Sequence, residues 1–187
     1  MEIICIEGAH GAGKTTICKQ LERDGFSTLD ESFLDMPDYS LSPQSFTMET
    51  IWISAWVTRL LNIQKENKSA GKSAGKSVNK YFADRSPFSA VIYAASGSLL
   101  EETVRTILKE LKAAGITIRT VYLNVSEKAL WRRIQNRLKD DPTRIRYNEN
   151  SRQHMCDVLE KYSKINWDYY IVADGDLSAI ADAISII

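Results

Sequence analysis

The chain has 187 residues, and its 24 basic side chains balance 24 acidic ones. No global field therefore favours nucleic acid or an anionic membrane, and any anion must be held by a local arrangement. The length suits one domain with a real core, and no apolar run reaches the ~18 residues of a membrane span.

Short apolar runs alternate with helical patterns along the chain. EIICI (2–6) reads as a strand, followed by a glycine loop and a helix over about 14–23. FSTLD (26–30) is a second strand, and a long helix is expected over 43–65. KSAGKSAGKS (68–77) predicts a flexible basic surface loop, spanning about 66–79 in all. YFAD (81–84) is a third strand, and helical stretches cover 86–95 and 99–114. TIRTVYLNV (117–125) is the clearest strand, a helix follows over 127–137, and a charged loop fills 139–149. A helix to about 163, the strand YYIVAD (169–174) and a closing helix from Leu177 complete the chain. This alternation predicts an α/β three-layer sandwich, a five-stranded parallel sheet flanked by helices. Cys5, Cys18 and Cys156 form no C-x-x-C pair and suit free thiols. With no signal-peptide pattern ahead of the first strand, the expected location is cytoplasmic.

EGAHGAGKTT (7–16) contains G-x-x-x-x-G-K-[ST], with Gly8, Gly13, Lys14 and Thr15 in the fixed places. It turns out of a strand into a helix, which is the context a phosphate loop requires. Backbone N–H groups over Gly8, His10, Gly11, Ala12, Gly13, Lys14, Thr15 and Thr16 then cradle the phosphates of ATP. Lys14 reaches the β- and γ-phosphates, and the Thr15 hydroxyl binds Mg²⁺. The GKS triplets at 71–77 lack both the spacing and the preceding strand. A GTPase switch is disfavoured, because Asn79-Lys80-Tyr81-Phe82 has phenylalanine where the base-reading aspartate of NKxD belongs.

Asp84-Arg85-Ser86 ends the third strand, and a parallel sheet binds ligands beyond the carboxyl ends of its strands. Asp84 can hold Mg²⁺ through a water, Arg85 can pair with an oxyanion, and Ser86 can cap a helix before Pro87. Arg133 and Arg137 share one helix face, with Arg144 and Arg146 following. Since the phosphate loop itself has no arginine, these supply the cation for the migrating phosphoryl group.

GxxGxGKTT followed by DRSxFSAxxYA resembles the thymidylate kinase and deoxynucleoside kinase superfamily over nearly the whole chain. YLNVSEKALWRRIQNR (122–137) is similar to the family's fourth strand and arginine-bearing lid helix, with the lid at about 138–149. A group of small P-loop proteins with GAHGxGKTT and DRSP motifs is a further relative. The resemblance implies one P-loop kinase domain over 1–187 that transfers a phosphoryl group from ATP, with Mg²⁺, to a deoxynucleoside or its monophosphate. Thymidylate or thymidine is the expected acceptor, and Lys14, Glu31, Arg85, Arg133 and Arg137 are the catalytic set. No nucleic-acid or membrane partner is expected, and family analogy implies a homodimer.

The second strand ends in Asp30-Glu31-Ser32-Phe33, and Glu31 matches the deoxynucleoside kinases' general base for the 5′-hydroxyl. Thymidylate kinases instead have an arginine near this place, and none stands between Arg23 and Arg59. SFTME (45–49) resembles SFxxQ, with Glu49 replacing the base-reading glutamine. Glu49, Trp52, Trp56 and Arg59 share a helix face and, with Glu31 and Arg85, form the expected acceptor site. Nucleoside and monophosphate acceptors stay level at this point. A nucleotide-sensing P-loop module without an acceptor is the alternative of another class.

Overall fold

A computed structural model describes residues 1–31, 39–69 and 80–187. Ser32, Phe33 and residues 70–77 of the glycine-lysine repeat lie outside the described residues.

The sheet has five parallel strands: β1 (Glu2–Glu7), β2 (Ser27–Leu29), β3 (Lys80–Asp84), β4 (Thr117–Asn124) and β5 (Tyr169–Val172). Their spatial order is β2-β3-β1-β4-β5. β1 lies between β3 and β4, so Ile3, Ile4, Cys5 and Ile6 are fully buried. This accounts for an unbroken apolar run rather than an alternating one.

Among the described residues seven helices connect and cover the strands: α1 (Lys14–Arg23), α2 (Phe46–Ser69), α3 (Phe88–Tyr93), α4 (Glu101–Ala113), α5 (Glu127–Asp140), α6 (Arg152–Ser163) and α7 (Leu177–Ser185). α1 packs on α7, while α3 contacts α2, α4 and α6. Among the described residues no helix is long and apolar enough to cross a membrane.

Several boundaries differ from the sequence expectation, and α5 runs to Asp140 rather than 137. α2 starts at Phe46 rather than at 43, because the Ser45 hydroxyl accepts the Met48 N–H at 3.3 Å and caps the helix. It also runs past 65 to Ser69. α3 spans only Phe88–Tyr93, within the expected 86–95. The charged stretch after α5 contains a 3₁₀ turn, Pro142–Tyr147, where an unstructured loop was expected. It ends at Asn148, whose φ of 58° turns the chain inward at Glu149.

The left-handed φ of 102° at Gly13 is required where the loop enters α1, and a Cβ there would stand 3.0 Å from Leu177. Gly97 is needed for a different reason: its Cβ would fall 1.9 Å from the Val91 carbonyl oxygen.

Candidate active site

A cavity of about 260 Å³ opens beyond the carboxyl ends of β1, β2 and β3. It joins the phosphate loop, the ends of β2 and β3, the start of α2 and the arginines of α5 and the 3₁₀ turn. His10, Gly11, Gly13, Lys14, Thr15 and Thr16 form its phosphate-loop side. No side chain caps the N-terminus of α1, so its first N–H groups and the helix dipole are left for an anion. The Lys14 ammonium is folded onto the loop, donating to the Gly8 and Ala9 carbonyl oxygens at 2.8 and 3.1 Å. Burial, and then the charge of Arg85, push Lys14 down to about 8.

Beside Lys14, the Thr15 hydroxyl donates to Asp84 Oδ2 at 2.5 Å. Asp84 Oδ1 is buried with no hydrogen-bond partner among the described residues. Burial raises the Asp84 carboxyl above its ordinary value, which a nearby divalent cation would oppose. A hydroxyl beside an unfilled carboxylate oxygen fits Mg²⁺, which takes few protein ligands and completes its shell with water and phosphate.

The acceptor side is built on an unusual backbone. Arg85 has a φ of 80°, a left-handed conformation that costs a long side chain about 1–3 kcal/mol. Surrounding bonds hold it: its N–H donates to Ile6 O at 3.0 Å, and the next N–H, of Ser86, donates to the Glu7 carboxyl at 2.7 Å. The twist carries the guanidinium into the cavity. There Nε donates to Glu31 Oε1 at 2.6 Å, Nη1 reaches the Ser89 hydroxyl, and the group lies 4.9 Å from the Tyr93 ring centre. Burial alone would raise the Glu31 carboxyl, but the charges of Arg85 and Lys14 outweigh it and hold Glu31 below its ordinary value. Glu31 is therefore ionised.

Glu49, Trp52 and Gln44 line the wall contributed by the start of α2. The Trp52 indole N–H donates to the Glu31 carbonyl oxygen at 3.1 Å and ties this wall to the end of β2. Two residues expected on the same face do not line the cavity. Trp56 is buried in the core, since a helix face several turns long runs beyond the cavity into packing. Arg59, two turns along, pairs with Asp30 instead. Gly8 and Ala12 likewise shape the phosphate loop without lining the cavity.

Arg133, Arg137 and Arg144 close the third side. Arg133 donates to the Ala12 and Ala173 carbonyl oxygens at 3.4 and 3.1 Å, which docks α5 on the phosphate loop. Arg137 and Arg144 converge on Glu149, whose fully buried side chain also stands 3.2 Å from His10 Nδ1. Burial and the surrounding arginines hold His10 well below its ordinary value. His10 is thus neutral, with its Nδ1 beside the Glu149 carboxylate, while its ring stacks on Tyr93 at 4.6 Å. Its side chain is held between Glu149 and Tyr93, whereas the expectation for His10 concerned its backbone N–H in the loop.

The sequence reading missed Glu7, Ser89, Tyr93, Tyr147 and Glu149. Glu7 accepts from the Ser86 N–H and hydroxyl, the Ser89 hydroxyl and the Tyr162 hydroxyl, and is fully buried. A signal existed for Glu7 and Glu149: Glu7 closes the apolar run Ile3–Ile6 just before the glycine loop, and Glu149 is a lone acid after Arg144 and Arg146.

A family model described as AAA domain, AAA_18, matches residues 4–155. No curated protein sequence matches the chain. Three solved structures share its fold over nearly their whole lengths. A deoxyadenosine kinase from M. mycoides with dCMP and a flexible dCDP bound is 18% identical, at a TM-score of 0.59, over 100% of this chain and 97% of that one. The same enzyme with dATP bound is 20% identical at 0.59, over 100% and 98%. A tunicamycin resistance protein from Deinococcus radiodurans is 17% identical at 0.63, over 99% and 94%. With four-fifths of its length inside the family model, and a five-stranded parallel sheet carrying the phosphate loop, the chain belongs to the AAA-domain family, as a P-loop protein of the nucleotide kinase fold.

Proposed function

We propose that this protein transfers the γ-phosphoryl group of ATP to the 5′-hydroxyl of a deoxynucleoside, with thymidine the first acceptor to test. The observation that carries this reading is the Glu31–Arg85 pair, which faces Lys14 across one cavity. A hydroxyl acceptor needs a proton acceptor at its side, and an ionised carboxylate supplies one. Pairing with Arg85 lowers the basicity of Glu31, yet a loose phosphoryl-transfer transition state asks for orientation more than for a strong base. Nucleotides bound by the solved M. mycoides kinase support the same class of acceptor.

In this mechanism Lys14 leaves the Gly8 and Ala9 carbonyl oxygens for the β- and γ-phosphates, and the anion returns its proton affinity toward the ordinary range. Thr15 and Asp84 would hold Mg²⁺, which neutralises charge developing on the transferred group. Arg133, already docked on the phosphate loop, and Arg137, whose buried Nε has no partner among the described residues, provide the remaining positive charge. Glu31 orients the acceptor hydroxyl and takes its proton, and Arg85 holds Glu31 in place.

A second reading has a nucleoside monophosphate, thymidylate first, as acceptor. It is favoured by the cations Arg85 and Arg144, which could hold the acceptor's phosphate. ADP release measured across a panel of deoxynucleosides and their monophosphates separates the two. Release stimulated by nucleosides and crippled in Glu31→Gln supports the first. Release stimulated only by monophosphates moves the assignment to the second. ATP binding with no acceptor-dependent turnover removes both and leaves a nucleotide-sensing module.

A further inference from the structure

Glu49 is 3% exposed, lines the cavity, and makes no side-chain hydrogen bond or ion pair with any described residue. Such isolation is costly for a charge and cheap for a neutral acid. Every cation that shares the cavity among the described residues already has another acceptor. Arg85 pairs with Glu31, and Lys14 donates to the Gly8 and Ala9 carbonyl oxygens. Arg133 is docked on the Ala12 and Ala173 carbonyl oxygens, while Arg137 and Arg144 are held by Glu149. Glu49 is therefore left without a counter-ion. Its other titratable neighbours, His10 and Tyr93, are neutral: burial lowers the imidazole and raises the phenol.

We propose that Glu49 works as a neutral carboxylic acid, and that it selects an acceptor whose flat edge carries a hydrogen-bond donor beside an acceptor. A carboxylic acid donates through its hydroxyl and accepts through its carbonyl, as an amide does. Thymine and uracil, with N3–H beside O4, complement it, and so do the N3/N4 edge of cytosine and the N1/N6 edge of adenine; guanine matches through O6 and N1–H but leaves its N2–H donor unanswered. An ionised carboxylate can only accept, and would favour the paired N1–H and N2–H donors of guanine instead. The 3-residue spacing from Trp52 puts the acid on the helix face that borders the cavity. Burial, opposed by Arg85 and assisted by Glu31, pushes the acid up to about 8, in keeping with the neutral form near pH 7.

This assignment rests on the phosphoryl-transfer reading for its substrate, but its chemistry is testable without turnover. The carboxyl C=O stretch of a protonated acid should appear in the infrared spectrum of the whole protein at pH 7, fade above pH 8, and be missing in Glu49→Gln. If the Glu49→Gln spectrum is unchanged at pH 7, Glu49 is ionised and the proposal is overturned, whatever the enzyme's activity. Kinetics supply the second arm. KM for the preferred acceptor should rise roughly tenfold per pH unit above 8 in the wild type. Glu49→Gln, which keeps a donor beside an acceptor but has no proton to lose, should abolish that rise, so that its KM for the acceptor is the same at pH 7 and pH 9. Since Lys14 titrates in the same range, KM for ATP is followed in parallel, and its rise should persist in the variant. Selectivity for guanine nucleosides, or a loss above 100-fold in kcat/KM for Glu49→Gln at pH 7 with ATP affinity intact, would overturn the proposal. A total lack of acceptor-dependent turnover would strike the kinase reading and leave the infrared result to decide the state of Glu49.

Discussion

Glu7 and Glu49 are buried to nearly the same degree, 0% and 3% exposed, but only Glu49 lines the cavity. Glu7 collects donors from the turn after β3, from α3 and from α6, so its carboxyl joins three parts of the fold. Glu49 collects none among the described residues, though it faces a cavity. A buried carboxyl whose hydrogen bonds are complete is part of the frame. One whose bonds are open carries a desolvation penalty that only a ligand can relieve. Glu31 and Glu149 fall between: each is paired with arginine, yet each pair stands at the rim of the cavity.

The comparison breaks most visibly at Glu7. Glu7→Ala strands several buried donors and should cost about 3–5 kcal/mol, read as a fall in urea midpoint with the m-value unchanged. A loss of under 1 kcal/mol would mean that the carboxyl is not part of the frame. Glu31→Gln should leave the urea midpoint close to wild type and lower kcat for a nucleoside by about 10²–10⁴-fold. If nucleoside phosphorylation is near normal, Glu31 is not the base.

Glu149→Gln tests the lid. The amide cannot balance two guanidinium groups, so Arg137 and Arg144 should lose their placement, and kcat should fall by about 10²-fold with KM for the acceptor nearly unchanged. An equal rise in KM instead would make Glu149 part of acceptor binding. At Glu49 the effect is graded with pH rather than fixed, because the folded protein holds a proton that the unfolded chain gives up near 4.5. Between that value and about 8 the native state binds more protons, so stability falls as pH rises. Glu49→Gln removes this slope, and the difference in unfolding free energy between variant and wild type should grow by about 1.4 kcal/mol per pH unit across the window. Parallel stability curves for the two proteins would put Glu49 with the ionised carboxylates.

Much of this was legible along the chain because it is local in sequence. The phosphate loop needs only a strand, glycines at fixed offsets and a helix start, and residues 2–23 contain all three. The five strands were readable from apolar runs, and parallel pairing followed from the intervening helices. Arg85 could be named from the rule that ligands sit past strand ends, and Glu31 from the resemblance to deoxynucleoside kinases; the structure brings them to 2.6 Å.

Periodicity on α2 was less informative. It puts Glu49, Trp52, Trp56 and Arg59 on one face but does not say where along that face the cavity ends, and only packing sent Trp56 to the core and Arg59 to Asp30. The sequence by itself determined that a phosphate would be bound, and by which backbone. Tertiary structure alone decided which buried acids are satisfied. That depends on donors 79 to 155 positions away in the chain for Glu7 and on cations committed elsewhere for Glu49, and no local pattern encodes either.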